Sequence, residues 1–122
     1  MCNKQFLFRN RELVKNLLRA HIDVTQQIQS NPAEASKILN AELKKETGKA
    51  LKEEVIKNAM TRIEFTWDPI VPSLYKCAEA AHKVGFLRKT PDLRGIHELR
   101  LLKEVLNEKK LPSIDEADLT RP

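Results

Sequence analysis

The feature that most constrains the fold is a helical spacing of apolar residues, interrupted by prolines and glycines. Between residues 11 and 30, leucine, valine and isoleucine recur every three or four positions, which is the spacing of one face of an α-helix. Asn31-Pro32 ends this helix and begins another, because proline disfavours the helical conformation of the preceding residue and fits a first turn. The pattern predicts helices over residues 11–30 and 32–47, the first capped by Asn10 and the second capped by Asn31 and ended by a left-handed Gly48. Ile38 and Leu39 are predicted to lie on the buried face of the second helix.

The same spacing predicts three further helices. One covers about residues 52–63, one opens near Val71 and stops at Gly85, and one follows the loop of residues 86–95. Residues 64–72 break the spacing with two prolines and predict an extended connection. The predicted fold is therefore all-α, with about five helices. Its predicted organisation is a strand or extended arm over residues 1–9, a helical segment over 10–111 and a flexible tail over 112–122.

The charge pattern bears on the class of partner. The net charge is +5, but acids and bases alternate along the helices, as in Glu42-Leu43-Lys44-Lys45-Glu46. A basic helix-turn-helix over residues 32–63 remains an alternative, although Glu53 and Glu54 would face phosphates there. We predict no nucleic-acid partner. We also predict no membrane insertion, because the apolar runs are far shorter than the ~20 residues that a membrane span needs.

Catalytic and metal-binding patterns are missing from the sequence. The three histidines lack the spacing that places two imidazoles on one helix face, and the three glycines are isolated rather than grouped into a phosphate-binding loop. No nucleophile motif is present. We therefore predict no catalytic residue, no metal site and no cofactor. Cys77, which lies among alanines, is interpreted as a small core residue.

The most unusual segment is Arg62-Ile63-Glu64-Phe65-Thr66-Trp67-Asp68-Pro69, which contains the only tryptophan. Arginine forks onto oxyanions, and tryptophan supplies an apolar wall to a ligand pocket. Arg62, Thr66 and Trp67 are therefore the candidate ligand-binding residues. The alternative is a structural connector whose aromatic side chains pack in the core and whose Asp68 caps the next helix.

Several phrases of the sequence occur in a familiar order. They are Leu18-Arg19-Ala20-His21, Asn31-Pro32-Ala33-Glu34-Ala35, the segment from Arg62 to Pro69, Ala78-Glu79-Ala80-Ala81-His82-Lys83-Val84-Gly85-Phe86-Leu87 and Asp92-Leu93-Arg94-Gly95-Ile96. Over about residues 2–111 the chain resembles the C-terminal third of periplasmic substrate-binding proteins of ABC importers, of the aliphatic sulfonate, nitrate and taurine type. No single phrase is diagnostic, and the resemblance lies in their order and spacing.

The resemblance implies a type II binding protein, with two α/β lobes and a ligand cleft between them. Residues 2–8 would end a crossover strand, and residues 10–110 would be helices that cover the sheet of the first lobe. The parent would be periplasmic or held outside the membrane, and would deliver a small anionic solute to an ABC permease. The opening residues MCNKQFLFRN lack the apolar core of a signal peptide, so an export signal would lie upstream.

The part of the family that the chain resembles does not include the sheet of the first lobe or most of the ligand cleft. We therefore expect the chain by itself not to bind the solute. We expect its uncovered apolar stripes to drive a homodimer or another homo-oligomer. A basic helical nucleic-acid-binding module and a helical protein-interaction module are the alternative functions.

Overall fold

The computed structural model describes residues 2–114 and contains six α-helices and no strand within that range. This confirms the predicted all-α fold of about five helices. None of the helices in the described range is long and apolar enough to cross a membrane. The helices are α1 (Lys4–Arg9), α2 (Arg11–Ser30), α3 (Pro32–Thr47), α4 (Glu53–Met60), α5 (Val71–Lys83) and α6 (Arg100–Glu108).

The first helix replaces the strand or extended arm that was predicted for residues 1–9, so that prediction was wrong for Lys4–Arg9. The physical reason is a pair of caps. The Asn3 side-chain oxygen accepts a hydrogen bond from the Gln5 amide at 2.8 Å, which satisfies a free donor of the first turn. Asn10, predicted to cap α2, ends α1, where its side-chain nitrogen donates to the Phe6 carbonyl at 3.0 Å.

The boundaries around α3 confirm the sequence prediction. The Asn31 side-chain oxygen accepts from the Glu34 amide at 3.3 Å, and Pro32 occupies the first turn. Gly48 ends the helix with φ of 76°, a left-handed conformation in which glycine has no Cβ to clash. An irregular connection was predicted over residues 64–72 and is observed over 61–70, because α4 ends at Met60 and Pro72 lies in the first turn of α5.

The chain divides into two compact units, and the first comprises residues 2–18 and 68–114. Most of its core comes from α6, which places four large apolar side chains inside. Ile114 is also buried, so the described part of the predicted tail has a packed residue, while residues 115–122 lie outside the described range. The buried apolar residues of this unit are Val71, Leu101, Leu102, Val105, Leu106 and Ile114.

The second unit is Arg19–Trp67 and has a smaller interior. Its buried side chains are Ile22, Thr25 and Ile56, and the Thr25 hydroxyl donates to the His21 carbonyl at 2.8 Å. Helices α3 and α4 pack against each other. Asn40 in α3 holds their connection, because its side chain accepts from the Leu51 amide at 2.8 Å and donates to the Leu51 carbonyl at 2.9 Å.

Several residues predicted to be interior are exposed. Cys77, Ile38 and Leu39 are all exposed, so their interpretation as core residues was wrong. Helix α2 likewise leaves apolar side chains exposed, on the face opposite its buried residues. It buries Lys15, Ile22 and Thr25 on one face. The opposite face carries what we call the outer stripe, formed by Leu13 (58% exposed), Leu17 (70% exposed) and Val24 (53% exposed).

Candidate functional site

The predicted ligand-binding residues lie in the irregular segment that follows α4. Arg62 is exposed, and its backbone amide donates to the Ala59 carbonyl at 2.9 Å. Thr66 and Trp67 are half-buried. Gln29, at the end of α2, donates from its side chain to the Phe65 carbonyl at 2.6 Å and so fixes this segment within the second unit.

The same segment continues into a tight turn before α5. The Asp68 carboxylate accepts a hydrogen bond from the Ile70 amide at 2.8 Å, two residues on. Ile70 has φ of 48°, a left-handed conformation that a β-branched residue rarely adopts. Asp68 therefore shapes the turn before α5 but does not cap this helix, whose N-cap is Ile70 with no side-chain cap hydrogen bond, so the alternative prediction that Asp68 is a cap was wrong.

The structure places a groove elsewhere, between α3 and α4. This groove has a volume of about 730 Å³, within the range of small-molecule and cofactor pockets. Arg62, Thr66 and Trp67 are not among the residues that line it, although Thr61 is. The lining residues are Pro32, Ala33, Ser36, Lys37, Asn40, Ala41, Lys44, Ala50, Glu53, Ile56, Lys57, Met60 and Thr61.

The groove joins an apolar floor to a basic rim. Ala33, Ala41, Ile56 and Met60 are among its apolar lining residues. Three lysines and one carboxylate are the charged lining residues, so the rim carries a net positive charge. Glu34, next to the groove, approaches Lys37 at 4.0 Å, which is a weak contact between exposed groups. The charged lining residues are Lys37, Lys44, Lys57 and Glu53.

One sequence signal for this groove lies outside the motifs described above. Ala33, Ser36 and Asn40 place small or short side chains on one face of α3, at spacings of three and four residues, and Ala41 lies eight residues after Ala33 on the same side. Small residues on a helix face leave space beside it. The sequence does not show which neighbouring helix borders that space, so the groove emerges only from the packing of α4.

A second polar cluster holds α2 to α6 inside the first unit. The Arg11 guanidinium contacts Glu104 at 2.9 Å, and the Lys15 ammonium contacts Glu104 at 3.3 Å and also Glu108. The Lys15 side chain is only 10% exposed. The hydrogen bond to Glu108 raises the pKa of Lys15 above its usual value, against the opposing effect of burial. This cluster is a structural clamp, because its charges pair with one another.

Other features of the chain offer less to a ligand. A second cavity, at the end of α2, is open to solvent and lined only by polar residues, among them Asp23 and Gln26. No group of three or more His, Cys, Asp or Glu side chains in residues 2–114 is arranged to hold a metal ion. Comparison of the chain with protein-family models, with curated proteins and with solved structures gives no match.

Proposed function

We propose that this chain is the helical C-terminal part of a solute-binding protein of an ABC importer, specific for sulfonate-like or other small oxyanion solutes. In this function its helices cover one face of the sheet of a lobe. The observation that supports the proposal best is the outer stripe of α2, an exposed apolar face on the longest helix. The ordered phrases described above supply the identity of the proposed family.

The outer stripe is unusual because α2 already has a buried face. Positions 13, 17 and 24 are four and seven residues apart, so they share one side of the helix. A helix of a self-sufficient bundle buries one apolar stripe and exposes polar residues opposite it. Here the inner face includes the ion-paired Lys15, while the outer face is apolar. A helix with this arrangement suits the middle layer of a larger domain.

A β-sheet is the layer that this proposal places on the stripe. Sheets that are covered by helices present flat apolar faces, and a stripe of leucine and valine is complementary to such a face. Arg62, Thr66 and Trp67 are the proposed contacts to the solute at the edge of that sheet. The exposed guanidinium of Arg62 is accessible for a forked contact with an oxyanion.

The proposal is tested by adding the α/β segment whose sheet this chain is proposed to cover. We would co-express this chain with a tagged N-terminal α/β segment of an aliphatic sulfonate-binding protein that lacks its own C-terminal helices. We expect the two pieces to co-purify and to bind ethanesulfonate in calorimetry. The combined substitution Leu13→Ser, Leu17→Ser and Val24→Ser should abolish co-purification while circular dichroism shows the helices intact. Phe86→Ser is the matched control, because Phe86 is exposed and lies outside the stripe.

Two results would contradict the proposal. One is co-purification that survives the triple substitution, since the stripe would then not be the contact. The other is a monomer at high concentration by light scattering. The proposal predicts that without a sheet the stripes of two copies pair, giving a homo-oligomer. A complex that forms but binds no oxyanion would support the assignment as a covering layer and contradict the assigned solute.

A further inference from the structure

We propose that the groove between α3 and α4 binds an acidic amphipathic helical segment of another protein. This inference does not rest on the transport function proposed above, because the groove residues differ from the outer stripe and from Arg62, Thr66 and Trp67. It rests on the floor of the groove, on the spacing of its lysines and on the way in which its walls are fixed.

The floor of the groove suits apolar side chains. Alanines on α3 leave space that Ile56 and Met60 border from α4. Grooves of this kind accept the apolar face of a helix, through side chains spaced three, four and seven residues apart. A purely polar ligand would leave this floor in contact with water, so the partner must bring apolar groups of its own.

The rim determines the charge of the partner and its length. Lys37 and Lys44 are seven residues apart on α3, which is about 10.5 Å along the helix axis. Lys57 lies on the α4 side of the groove. A small ligand with one anionic head would reach one of these ammonium groups. A helical segment with carboxylates seven residues apart would match the spacing of Lys37 and Lys44, so this spacing favours an acidic helix.

Nucleic acid fits this site less well, although the three lysines would also attract phosphates. Glu53 is a charged lining residue, and its carboxylate would repel a phosphate backbone. Phosphate contacts are made by protruding basic side chains and would not use an apolar floor. An acidic peptide can turn its apolar face to the floor and its carboxylates to the lysines, while its uncharged backbone passes Glu53.

The walls of the groove are fixed before any partner arrives. Asn40 bonds both the amide and the carbonyl of Leu51, which sets the connection between α3 and α4. Asn31 and the left-handed Gly48 fix the two ends of α3. A preformed groove loses little conformational entropy on binding, which favours measurable affinity for a short segment.

The test uses the full chain and a fluorescein-labelled peptide of about 14 residues, with leucines spaced i, i+3, i+4, i+7 and glutamates on the flanks. We expect saturable binding in fluorescence anisotropy, weakening as salt is raised. The double substitution Lys37→Glu and Lys44→Glu should weaken binding at least about tenfold. Lys4→Glu with Lys76→Glu is the matched control, because it changes the net charge equally at exposed positions outside the groove.

Three further outcomes decide against the proposal. Equal binding of a peptide with the same composition but scrambled leucines would show that only charge matters. Binding of a double-stranded oligonucleotide that is lost on the same lysine substitutions would assign the rim to nucleic acid. Loss of self-association in the Lys37→Glu, Lys44→Glu protein, without peptide binding to the wild type, would identify a second copy as the occupant. Circular dichroism of every variant checks that the helices remain.

Discussion

The two units of the chain are stabilised in different ways. The first buries six large apolar residues, four of them on α6, and joins α2 to α6 by ion pairs between residues 93 positions apart. The second buries Ile22 and Ile56 and has two side-chain ties, of Asn40 to Leu51 and of Gln29 to Phe65. The comparison indicates that distant contacts stabilise the first unit, whereas caps and shorter-range bonds stabilise the second. Substitutions in the two units should therefore change the free energy of unfolding by different amounts.

The largest expected effect is in the interior of the first unit. Leu106 is 1% exposed, so Leu106→Ala should lower the free energy of unfolding by about 2–5 kcal/mol through lost burial and the cavity left behind. Leu39, in the second unit, is 45% exposed, and Leu39→Ala should cost about 0.5 kcal/mol or less. Urea denaturation of both variants measures the contrast. Similar losses would show that the two units do not differ in this way.

The second largest effect is expected at the clamp between α2 and α6. Lys15→Met keeps the length of the side chain but leaves the carboxylates of Glu104 and Glu108 without their shared ammonium group. We expect a lower melting temperature at neutral pH. The folded pKa of Lys15 is raised, so its contribution is complete below its usual pKa of 10.5 and is lost as the pH rises through the folded value. The difference between the wild type and Lys15→Met should therefore shrink above pH 10.5, and a constant difference would contradict the clamp.

In the second unit, the largest effect is expected for Asn40. Asn40→Ala removes two hydrogen bonds to Leu51 and should lower the free energy of unfolding by about 1.5 kcal/mol. Asn40→Asp is the informative comparison, because it keeps the acceptor for the Leu51 amide and loses the donor to the carbonyl. Amide hydrogen exchange at Leu51 should accelerate in the alanine variant and much less in the aspartate variant.

A smaller effect is expected at the end of α3. Gly48 has φ of 76°, and a Cβ built there would meet no atom within 4 Å. Gly48→Ala should therefore cost about 1 kcal/mol, from the left-handed backbone alone and without a steric clash. Denaturation of the Gly48→Ala and Gly48→Asn variants measures the loss of stability. The loss should be smaller for asparagine, because asparagine tolerates the left-handed conformation better. A loss several times larger would mean that a contact is broken.

The smallest effect is expected at the exposed pair of Asp92 and Arg94. Their hydrogen bonds, of 2.6 Å and longer, lower the pKa of Asp92 to about 2. A depressed pKa contributes stability that is present above the usual value of 3.8 and lost as the pH falls through about 2. Because both side chains are exposed, Asp92→Asn should leave the urea midpoint at pH 7 unchanged within error. Nuclear magnetic resonance titration of the Asp92 carboxyl measures the shift directly.

The local signals of the sequence predicted much of the fold. Asn31-Pro32 and Gly48 set both ends of α3, because a cap, a proline and a left-handed glycine act only on backbone groups within a few residues. The strand or extended arm predicted over residues 1–9 was wrong for Lys4–Arg9, because the Asn3 cap favours the helix α1 there. The contact of Lys15 with Glu108 joins residues that are far apart in the sequence. The groove beside α3 depends on the position of the neighbouring helix α4. Periodicity identifies a helix face but not its partner, which is why Ile38 and Leu39 were placed inside.

The two faces of α2 have a consequence for the time course of synthesis. Lys15 and Glu108 are separated by 93 residues. At ribosomal rates of about 5–20 residues per second, α6 is completed roughly 5–20 seconds after the segment that it will clamp. Neither side of α2 is covered by α6 during that interval, and the completed α6 contacts only the side that carries Lys15. Both faces of α2 in the nascent chain therefore stay uncovered for several seconds before the ion pairs to α6 can form.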